Sequence, residues 1–252
     1  MEWIYGRNVV RLALAAGARR RAHRLAATPP ALKALRLAIP PGLAVETLDT
    51  HALDELTGSR DHQGAALQVD AFAYATADEV LGAEIVVVLD EVSDPRNLGA
   101  TARSALAAGA GGLVVPRRRS ASVTPAAVKA SAGTIEHLAV AQVTNVVGFL
   151  KAAKEAGAWV YGAAGETGFS YLDLDLTGRL VLVFGAEGRG LRPLVARTCD
   201  ALAAIPMEKP VESLNVSVAA ALFLFEARRQ RHAAGGGPAG GDARGGRPRG
   251  AA

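Results

Sequence analysis

Short runs of aliphatic residues alternate with segments of helical apolar spacing along residues 83–231. The predicted strands cover residues 85–89, 113–115, 138–140, 159–162, 180–184 and 201–205. The predicted helices cover residues 98–108, 125–132, 146–156, 191–197 and 214–231. Because these strands are apolar throughout, both of their faces should be buried. The pattern therefore predicts an α/β domain in which a parallel sheet is covered by helices on both sides.

Residues 1–71 show a shorter version of the same alternation. Helices are predicted over residues 6–16, 30–38 and 50–56, and strands over residues 23–27, 43–47 and 65–69. Pro29 stands near the start of the second helix, and Thr50 is a candidate cap for the third. This region should form a small α/β domain. Residues 72–82 have no clear period and are predicted to be a linker.

The last segment, residues 232–252, consists mainly of Gly, Ala, Pro and Arg. It lacks the apolar surface needed to offset the entropy of ordering, so we expect a disordered tail. Two hypotheses remain open for it, a solvated tail and a weak RNA-binding arm. The tail also supplies part of the net charge of +4, so charge only mildly favours a polyanionic partner.

Composition sets further bounds on the class of protein. No apolar run reaches the roughly 20 residues that a transmembrane helix needs, and Arg7 and Arg11 interrupt any signal-peptide layout. The single cysteine, Cys199, excludes an internal disulfide framework and suits a small buried apolar role. These features predict a soluble, cytoplasmic protein, and no metal-binding constellation is expected.

Open α/β sheets bind ligands beyond the carboxyl ends of their strands, so the loops after the strands deserve inspection. Asp94 and Asn97 follow the first strand, and Arg103 lies one and a half turns further along a helix. Their alternative interpretation is two ordinary helix caps and a solvated charge. A glycine-rich segment around Glu187 follows the fifth strand, where it indicates either a tight turn or a binding loop.

The loop after the sixth strand, residues 205–216, contains two prolines that stiffen it. Ser213 is a good candidate N-cap for the apolar helix that follows. Asn215 is a poor helix former, and it is predicted within the first turn of that helix. It serves either as a capping group alone or as a hydrogen-bonding group at the edge of the sheet.

Together the three loops resemble the SpoU family of RNA ribose methyltransferases, part of the knotted SPOUT superfamily. The first family motif matches Asp94-Pro95-x-Asn97-x-Gly99-x-x-x-Arg103. The second matches Gly185-x-Glu187-Gly188-x-Gly190, and the third matches Ile205-Pro206-Met207 followed by Glu212-Ser213-Leu214-Asn215. A weaker match, at Tyr5-Gly6 and His62-Gln63-Gly64, resembles the family's N-terminal substrate-binding domain, which is itself similar to RNA-binding ribosomal proteins.

The resemblance implies a fold and an activity that the hydrophobic pattern alone does not predict. The C-terminal segment should form a deep trefoil knot, and the protein should be a homodimer with its site at the interface. The implied reaction transfers a methyl group from S-adenosylmethionine to a ribose 2′-hydroxyl. The two-domain layout is most similar to enzymes that modify a guanosine of 23S ribosomal RNA.

Site residues carry over from the family motifs position by position. The implied cofactor contacts are Gly185, Ile205, Met207 and Leu214. The implied catalytic residues are Asn97, Arg103, Glu187, Ser213 and Asn215. A guanidinium has a pKa above about 12, so Arg103 is better suited to stabilise a developing alkoxide than to act as the base. Glu187 is then expected to orient Arg103 or Asn97, with the dimer interface as one route.

RNA contacts are predicted for two groups of arginines: Arg117, Arg118 and Arg119 after the second strand, and Arg20 and Arg24 in the N-terminal domain. Such contacts should make binding weaken as salt rises. The alternative for each group is a solvated charge cluster. His137 is expected to be structural.

Three other functions remain open on the sequence. Two are enzymatic, a transfer-RNA methyltransferase and a ribosome-modifying resistance enzyme. The third is a non-catalytic RNA-binding assembly factor, against which the intact set of motif residues argues.

Overall fold

The computed structural model describes residues 1–165, 167 and 169–235. Its first unit contains β1 (Glu2–Tyr5), α1 (Arg7–Ala13), β2 (Ala22–Ala27), α2 (Pro29–Leu35), β3 (Ala44–Thr47), α3 (Thr50–Thr57) and β4 (Ala65–Val69). These strands form one sheet in the order β1-β4-β2-β3, in which β4 is antiparallel to β1 and β2, and β2 is parallel to β3. The small α/β unit is therefore present.

Two local details of this unit differ from the sequence prediction. Strand β1 was not predicted, because a four-residue segment is too short to show a period. It nevertheless pairs with β4 along its whole length and buries Ile4. The cap of α3 is Asp49 rather than Thr50, since the Asp49 carboxylate accepts a hydrogen bond from Ala52 N at 2.8 Å.

The second unit contains six strands, β5 (Ile85–Asp90), β6 (Gly112–Pro116), β7 (Ala139–Val143), β8 (Trp159–Ala163), β9 (Leu180–Gly185) and β10 (Ala201–Ala203). Its helices are α4 (Ala77–Leu81), α5 (Pro95–Ala108), α6 (Pro125–Ala130), α7 (Val146–Glu155), α8 (Pro193–Thr198) and α9 (Val216–Ala233). The strands form a wholly parallel sheet, in the order β10-β8-β9-β5-β6-β7. The predicted parallel sheet is confirmed.

Helices cover both faces of this sheet, as its apolar strands require. On one face, Phe184 of β9 packs against Phe223 of α9 with the ring centroids 5.5 Å apart. On the other face, Val183 of the same strand belongs to a second apolar cluster, which includes Phe149 of α7. Helix α9 ends at Ala233, two residues into the predicted tail, and the tail from residue 236 onward lies outside the described residues.

The strand order brings two loops together at the centre of the sheet. From β5 the chain adds β6 and then β7 on one side of β5. It then crosses over, and β8, β9 and β10 lie on the other side of β5. Asp90 at the end of β5 is paired in register with Gly185 at the end of β9. The loops after these strands therefore leave the sheet side by side, at the type of switch point where α/β sheets bind ligands.

Residues 72–82 do not form a free linker, contrary to the sequence prediction. The Tyr74 hydroxyl accepts a hydrogen bond from Val123 N at 2.9 Å, and Ala75 forms a β-bridge with Ala141. Helix α4 follows, with the Thr76 hydroxyl accepting from Glu79 N at its start. Residues 72–82 show no hydrophobic period because their elements are short and pack on the edge of the larger sheet.

A buried ion-pair cluster joins the two units. Arg20 is 5% exposed, and its guanidinium donates to the carboxylates of Glu136 and Glu2. It also lies over the Phe72 ring, 5.3 Å from the centroid. The predicted RNA contact by Arg20 is wrong, because this side chain is enclosed by protein. His137 is structural, as expected, since its Nε2 lies 2.9 Å from the Leu12 carbonyl oxygen across the same interface.

Candidate active site

The first part of the site is the start of α5. Asp94 caps this helix by accepting a hydrogen bond from Arg96 N at 2.8 Å. Asn97 is therefore not a cap, as one sequence hypothesis had it, but a residue within the first turn. Its side chain is free to point towards the neighbouring loops rather than back to its own helix.

The glycine-rich loop after β9 provides the second part. A Cβ atom at Gly185 would lie 2.1 Å from the carbonyl carbon and oxygen of Gly190, so no other residue fits. The chain reverses here, with Ala186 and Gly190 forming an antiparallel bridge and Gly190 N donating to Ala186 O at 2.9 Å. This tight reversal carries the exposed Glu187 at its tip.

The start of α9 provides the third part. Asn215 caps this helix, because its Oδ1 accepts from Ser217 N at 2.9 Å and from Ser217 Oγ at 2.6 Å. The expectation that Ser213 is the N-cap is therefore wrong, and the helix begins two residues later than predicted. Only the oxygen of the Asn215 amide is used in capping, so its nitrogen remains available to the site.

Asn97, Glu187 and Asn215 form a closed hydrogen-bonded triangle. Glu187 Oε1 accepts from Asn97 Nδ2 at 2.9 Å and from Asn215 Nδ2 at 2.7 Å. Asn215 Nδ2 also donates to Asn97 Oδ1 at 2.9 Å. Hydrogen bonds to a carboxylate are among the stronger ones in proteins. One residue from each motif loop is thus oriented by the other two.

A cavity of about 340 Å³ opens on one side of this triangle. The four predicted cofactor contacts all line it, together with two predicted catalytic residues: Gly185, Ile205, Met207, Leu214, Glu187 and Ser213. Phe184 and Phe223 form its apolar floor, and Glu212 adds a second carboxylate to the lining. The cavity therefore combines apolar walls, glycine backbone and negative charge.

A second cavity, of about 430 Å³, opens on the other side. Asn97, Glu187, Arg119 and Arg189 are among the residues that line it. The two cavities share Ala186 and Glu187. This arrangement could hold two reactants in separate compartments that meet at the triangle.

An ion pair that sequence reasoning missed fixes the far end of the glycine-rich loop. Asp90 is 1% exposed, and its carboxylate accepts from Arg192 N at 3.1 Å and from Arg192 Nε at 2.9 Å. Hydrogen bonding to Asp90 raises the pKa of the Arg192 guanidinium. An acid at the end of a wholly apolar strand was the available signal, because a buried carboxylate requires a partner.

The structure does not bring Arg103 to the triangle. Its side chain is exposed and lines neither cavity, and no hydrogen-bond or ion-pair partner for it exists among residues 1–165, 167 and 169–235. Because an α-helix has 3.6 residues per turn, the side chain of Arg103, six residues after Asn97 in α5, points in a clearly different direction from that of Asn97. Within one chain, Glu187 therefore orients Asn97 rather than Arg103.

The other predicted RNA contacts are exposed. Arg117, Arg118 and Arg119 follow β6, and Arg119 lies 3.8 Å from Glu91. Arg24 pairs with Glu46 at 3.3 Å and lies 5.2 Å from the centroid of the Trp3 ring, while about half of its side chain remains accessible. These arginines remain predicted contacts.

Within the described part of the chain, no group of three or more His, Cys, Asp or Glu residues could hold a metal ion. No helix among the described residues is long and apolar enough to cross a membrane. Cys199 packs against α8 with its Sγ 3.4 Å from Val195 O, and burial raises its pKa to about 12. It is an unreactive, largely buried thiol.

Comparison with known protein families identifies both units. The model of the SpoU rRNA Methylase family matches residues 84–225, and the model of the RNA 2′-O ribose methyltransferase substrate-binding domain matches residues 3–75. The chain therefore belongs to the SpoU rRNA methylase family, which confirms the resemblance found in the three motifs.

Curated relatives cover most of the chain. The 23S rRNA (guanosine-2′-O-)-methyltransferase RlmB of Xanthomonas campestris is 43% identical over 197 residues, which are 75% of this chain and 79% of that protein. An uncharacterized tRNA/rRNA methyltransferase of Mycolicibacterium vanbaalenii is 42% identical over 209 residues, 80% of this chain and 67% of that one. For a relative from Mycobacterium tuberculosis, 44% identical, the match spans 61% of its length.

Solved structures agree over nearly the whole chain. The SpoU methyltransferase AviRb of Streptomyces viridochromogenes, in complex with AdoMet, has a TM-score of 0.76 at 26% identity and covers 91% of this chain and 90% of that one. An AdoMet-bound rRNA methyltransferase of Sinorhizobium meliloti has a TM-score of 0.72 at 26% identity, with coverages of 90% and 87%.

Proposed function

We propose that this protein transfers a methyl group from S-adenosylmethionine to the 2′-hydroxyl of a guanosine ribose in 23S ribosomal RNA. The observation that carries the proposal is the triangle of Asn97, Glu187 and Asn215, whose Glu187 lines both of two adjoining cavities. The identity to RlmB supports the choice of RNA and nucleotide.

The 340 Å³ cavity suits the cofactor in size and chemistry. Ligand sites in proteins usually measure about 300–1,000 Å³ and combine apolar walls with a few polar groups. Bound S-adenosylmethionine supplies a methyl group made electrophilic by a positively charged sulfur. The carboxylates of Glu187 and Glu212 complement that positive charge. The backbone of Gly185, Ile205 and Leu214 would bind the edge of the adenine, and Met207 would contact its face.

The second cavity suits the RNA nucleotide that accepts the methyl group. Arg119 and Arg189 would hold its phosphates, since guanidinium groups bind phosphate through paired hydrogen bonds. Asn215 Nδ2 already donates to both Glu187 and Asn97, whereas among the described residues Asn97 Nδ2 has one hydrogen-bond contact, to Glu187. The remaining N–H of Asn97 is the donor that would stabilise the ribose oxygen while a phosphate of the RNA takes its proton. The methyl group would then pass from sulfur to that oxygen, leaving the cofactor as a neutral thioether. Glu187 positions both amides.

We assign Arg103 to the site of a second copy in a homodimer. Helix α9 carries an apolar stripe on the side away from its buried face, formed by the exposed Val218 and Phe225 and the partly exposed Leu222. Val218 and Phe225 are each 48% exposed. Such a stripe on a soluble domain favours association. Pairing through this surface would give Arg103 a route to the partner subunit's triangle, where it would stabilise the developing charge.

The same proposal includes the trefoil knot and the cellular location. Residues 185–191 and 205–215 wrap one cavity and are tied together by the hydrogen bond between Glu187 and Asn215. The contact between these two loops supports a chain whose last segment passes through an earlier loop. A ribosomal RNA substrate supports a location in the cytoplasm.

The test is methyl transfer from labelled S-adenosylmethionine to unmodified 23S rRNA, followed by mapping of the modified nucleotide. We expect a single ribose-methylated guanosine. Labelling of transfer RNA alone would refute the proposed substrate, and failure to bind the cofactor in calorimetry would favour a binding factor instead.

A matched pair of variants tests the role of the triangle. Asn215→Asp keeps the capping oxygen but loses the amide donor, and we expect turnover to fall by about 10²-fold or more. Asn145 is the matched control, because it caps α7 in the same way, with its Oδ1 3.0 Å from Gly148 N and away from both cavities. Asn145→Asp should leave turnover within about twofold of the wild type. Equal losses in both variants would contradict the proposed role.

A further inference from the structure

The second part of the N-terminal motif, His62-Gln63-Gly64, lines a groove that the transfer site does not use. We propose that this groove, defined by Arg7, Thr28, Thr50, Arg60 and Gln63, binds the phosphate backbone of the RNA substrate. The inference rests on the proposed function only in taking RNA as the substrate. It adds a second point of contact, held by a different unit from the one that carries the cofactor cavity.

The shape of the groove comes from four segments of the small unit. Its volume is about 370 Å³. It lies between the start of α1, the turn from β2 into α2, the start of α3 and the loop before β4. The residues that line it are Arg7, Thr28, Pro30, Ala31, Thr50, Arg60, His62, Gln63 and Gly64. None of these lining residues is acidic, so the groove is cationic.

Neither of the two arginines of the groove has an anionic partner among the described residues. Arg7 and Arg60 are exposed, and neither guanidinium has a hydrogen-bond or ion-pair partner in the described ranges. By contrast, Arg19, Arg20 and Arg24 of the same unit are each paired with a glutamate. Two unpaired guanidiniums at one concave surface are suited to a phosphodiester, which they can bind through paired hydrogen bonds.

The loop between the arginines is held rigidly. His62 is 2% exposed, its Nε2 lies 2.9 Å from Asp54 Oδ1, and its Nδ1 accepts from Gly64 N at 2.9 Å. Gln63 takes a left-handed backbone conformation with φ of 54°, which is unfavourable for this residue type and concentrates at functional sites. The exposed Gln63 uses its oxygen to accept from Arg7 N at 3.3 Å, which directs its amide group along the groove.

The remaining polar groups favour RNA over an acidic peptide. Thr28 precedes α2, but its hydroxyl makes no capping hydrogen bond and so stays available at the groove wall. Hydroxyl and amide groups can each donate and accept, which matches the 2′-hydroxyls along an RNA strand. The loop also contacts the larger unit, because Lys129 Nζ donates to Asp61 O at 2.7 Å. RNA held in the groove would therefore be held relative to the catalytic unit.

The experiment measures binding of the full-length protein to an unmodified 23S rRNA transcript at several salt concentrations. Arg7→Glu/Arg60→Glu should weaken binding about tenfold or more and reduce the slope of log K against log salt by about 2. The control, Lys33→Glu/Arg36→Glu, makes the same charge change on the exposed side of α2, outside the groove lining. The conservative variant Arg7→Lys/Arg60→Lys should recover most of the affinity and excludes misfolding as the cause.

Methyl transfer separates this inference from the proposed function. The groove variant should show a raised KM for RNA, while kcat and the affinity for S-adenosylmethionine stay within about twofold of the wild type. Equal loss of RNA affinity in the groove variant and in the control would overturn the groove, as would unchanged affinity in the groove variant. Absence of methyl transfer by the wild type, with normal groove-dependent RNA binding, would instead refute the proposed reaction.

Discussion

Replacing Arg20 by methionine is expected to weaken the coupling between the two units, so that they no longer unfold together. This substitution keeps much of the side-chain volume but removes the positive charge between Glu136 and Glu2. The side chain of Arg20 is 1% exposed and that of Glu136 is 0% exposed, so neither charge is screened by solvent. Removing one member of a buried ion pair costs about 3–5 kcal/mol, because the other charge is left without compensation. Small domains have total stabilities of about 5–15 kcal/mol, so the loss is large.

The two tryptophans of the chain allow each unit to be followed separately. Trp3 lies on β1 of the small unit, and Trp159 lies on β8 of the larger sheet. Urea unfolding of single-tryptophan versions should show coincident transitions with Arg20 present. With Arg20→Met, the Trp3 transition should shift to lower urea. Arg19→Met is the matched control, since its ion pair with Glu79 is partly exposed and should contribute little to stability.

A double variant identifies the cause of the loss. Arg20→Met/Glu136→Gln removes both charges and should recover a large part of the lost stability, since it leaves no buried unpaired carboxylate. A loss below about 1 kcal/mol for Arg20→Met alone would refute the argument. A double variant as unstable as the single one would show that packing against Phe72, rather than charge, holds the units together.

Three further predictions concern the larger unit. Gly185→Ala should abolish S-adenosylmethionine binding in calorimetry, because the added Cβ would lie 2.1 Å from Gly190; Gly178→Ala, where only the end of one side chain comes within 4 Å, should bind normally. Cys199 should resist alkylation at pH 8 in the native protein and react quickly in urea, since burial raises its pKa to about 12; fast native labelling would contradict this. Phe225→Glu should convert a dimer into a monomer in light scattering, and an unchanged mass would exclude the α9 surface as the interface.

The helix caps show how far local sequence rules reach. Each predicted helix exists, but Asp49 and Asn215, not Thr50 and Ser213, occupy the capping positions. Several good capping residues stand next to one another at these starts, and their intrinsic preferences differ little. Which residue takes the cap depends on where the chain leaves the preceding loop, and contacts with other elements decide that. Helix boundaries therefore moved by up to three residues while the elements remained.

The sequence by itself determined the parallel sheet and the family. Apolar runs of three to five residues that alternate with helical segments indicate buried strands, and the three motif loops identify the class of enzyme without any coordinates. Four positions that line the 340 Å³ cavity were also indicated, because the resemblance carries the family's cofactor contacts over to this sequence.

Only the tertiary structure decided which charges and amides meet. Arg20 belongs to a run of arginines and looks like a solvated RNA contact, yet its partner Glu136 lies 116 positions further along the chain. Likewise, Asn97 and Asn215 are 118 positions apart and become one hydrogen-bonded unit through Glu187. Burial of a charge depends on partners brought by the fold, and no local preference encodes them. Residues of the same type thus form a buried ion pair between units, remain as solvent-exposed charges or become candidate catalytic groups, according to the packing around them.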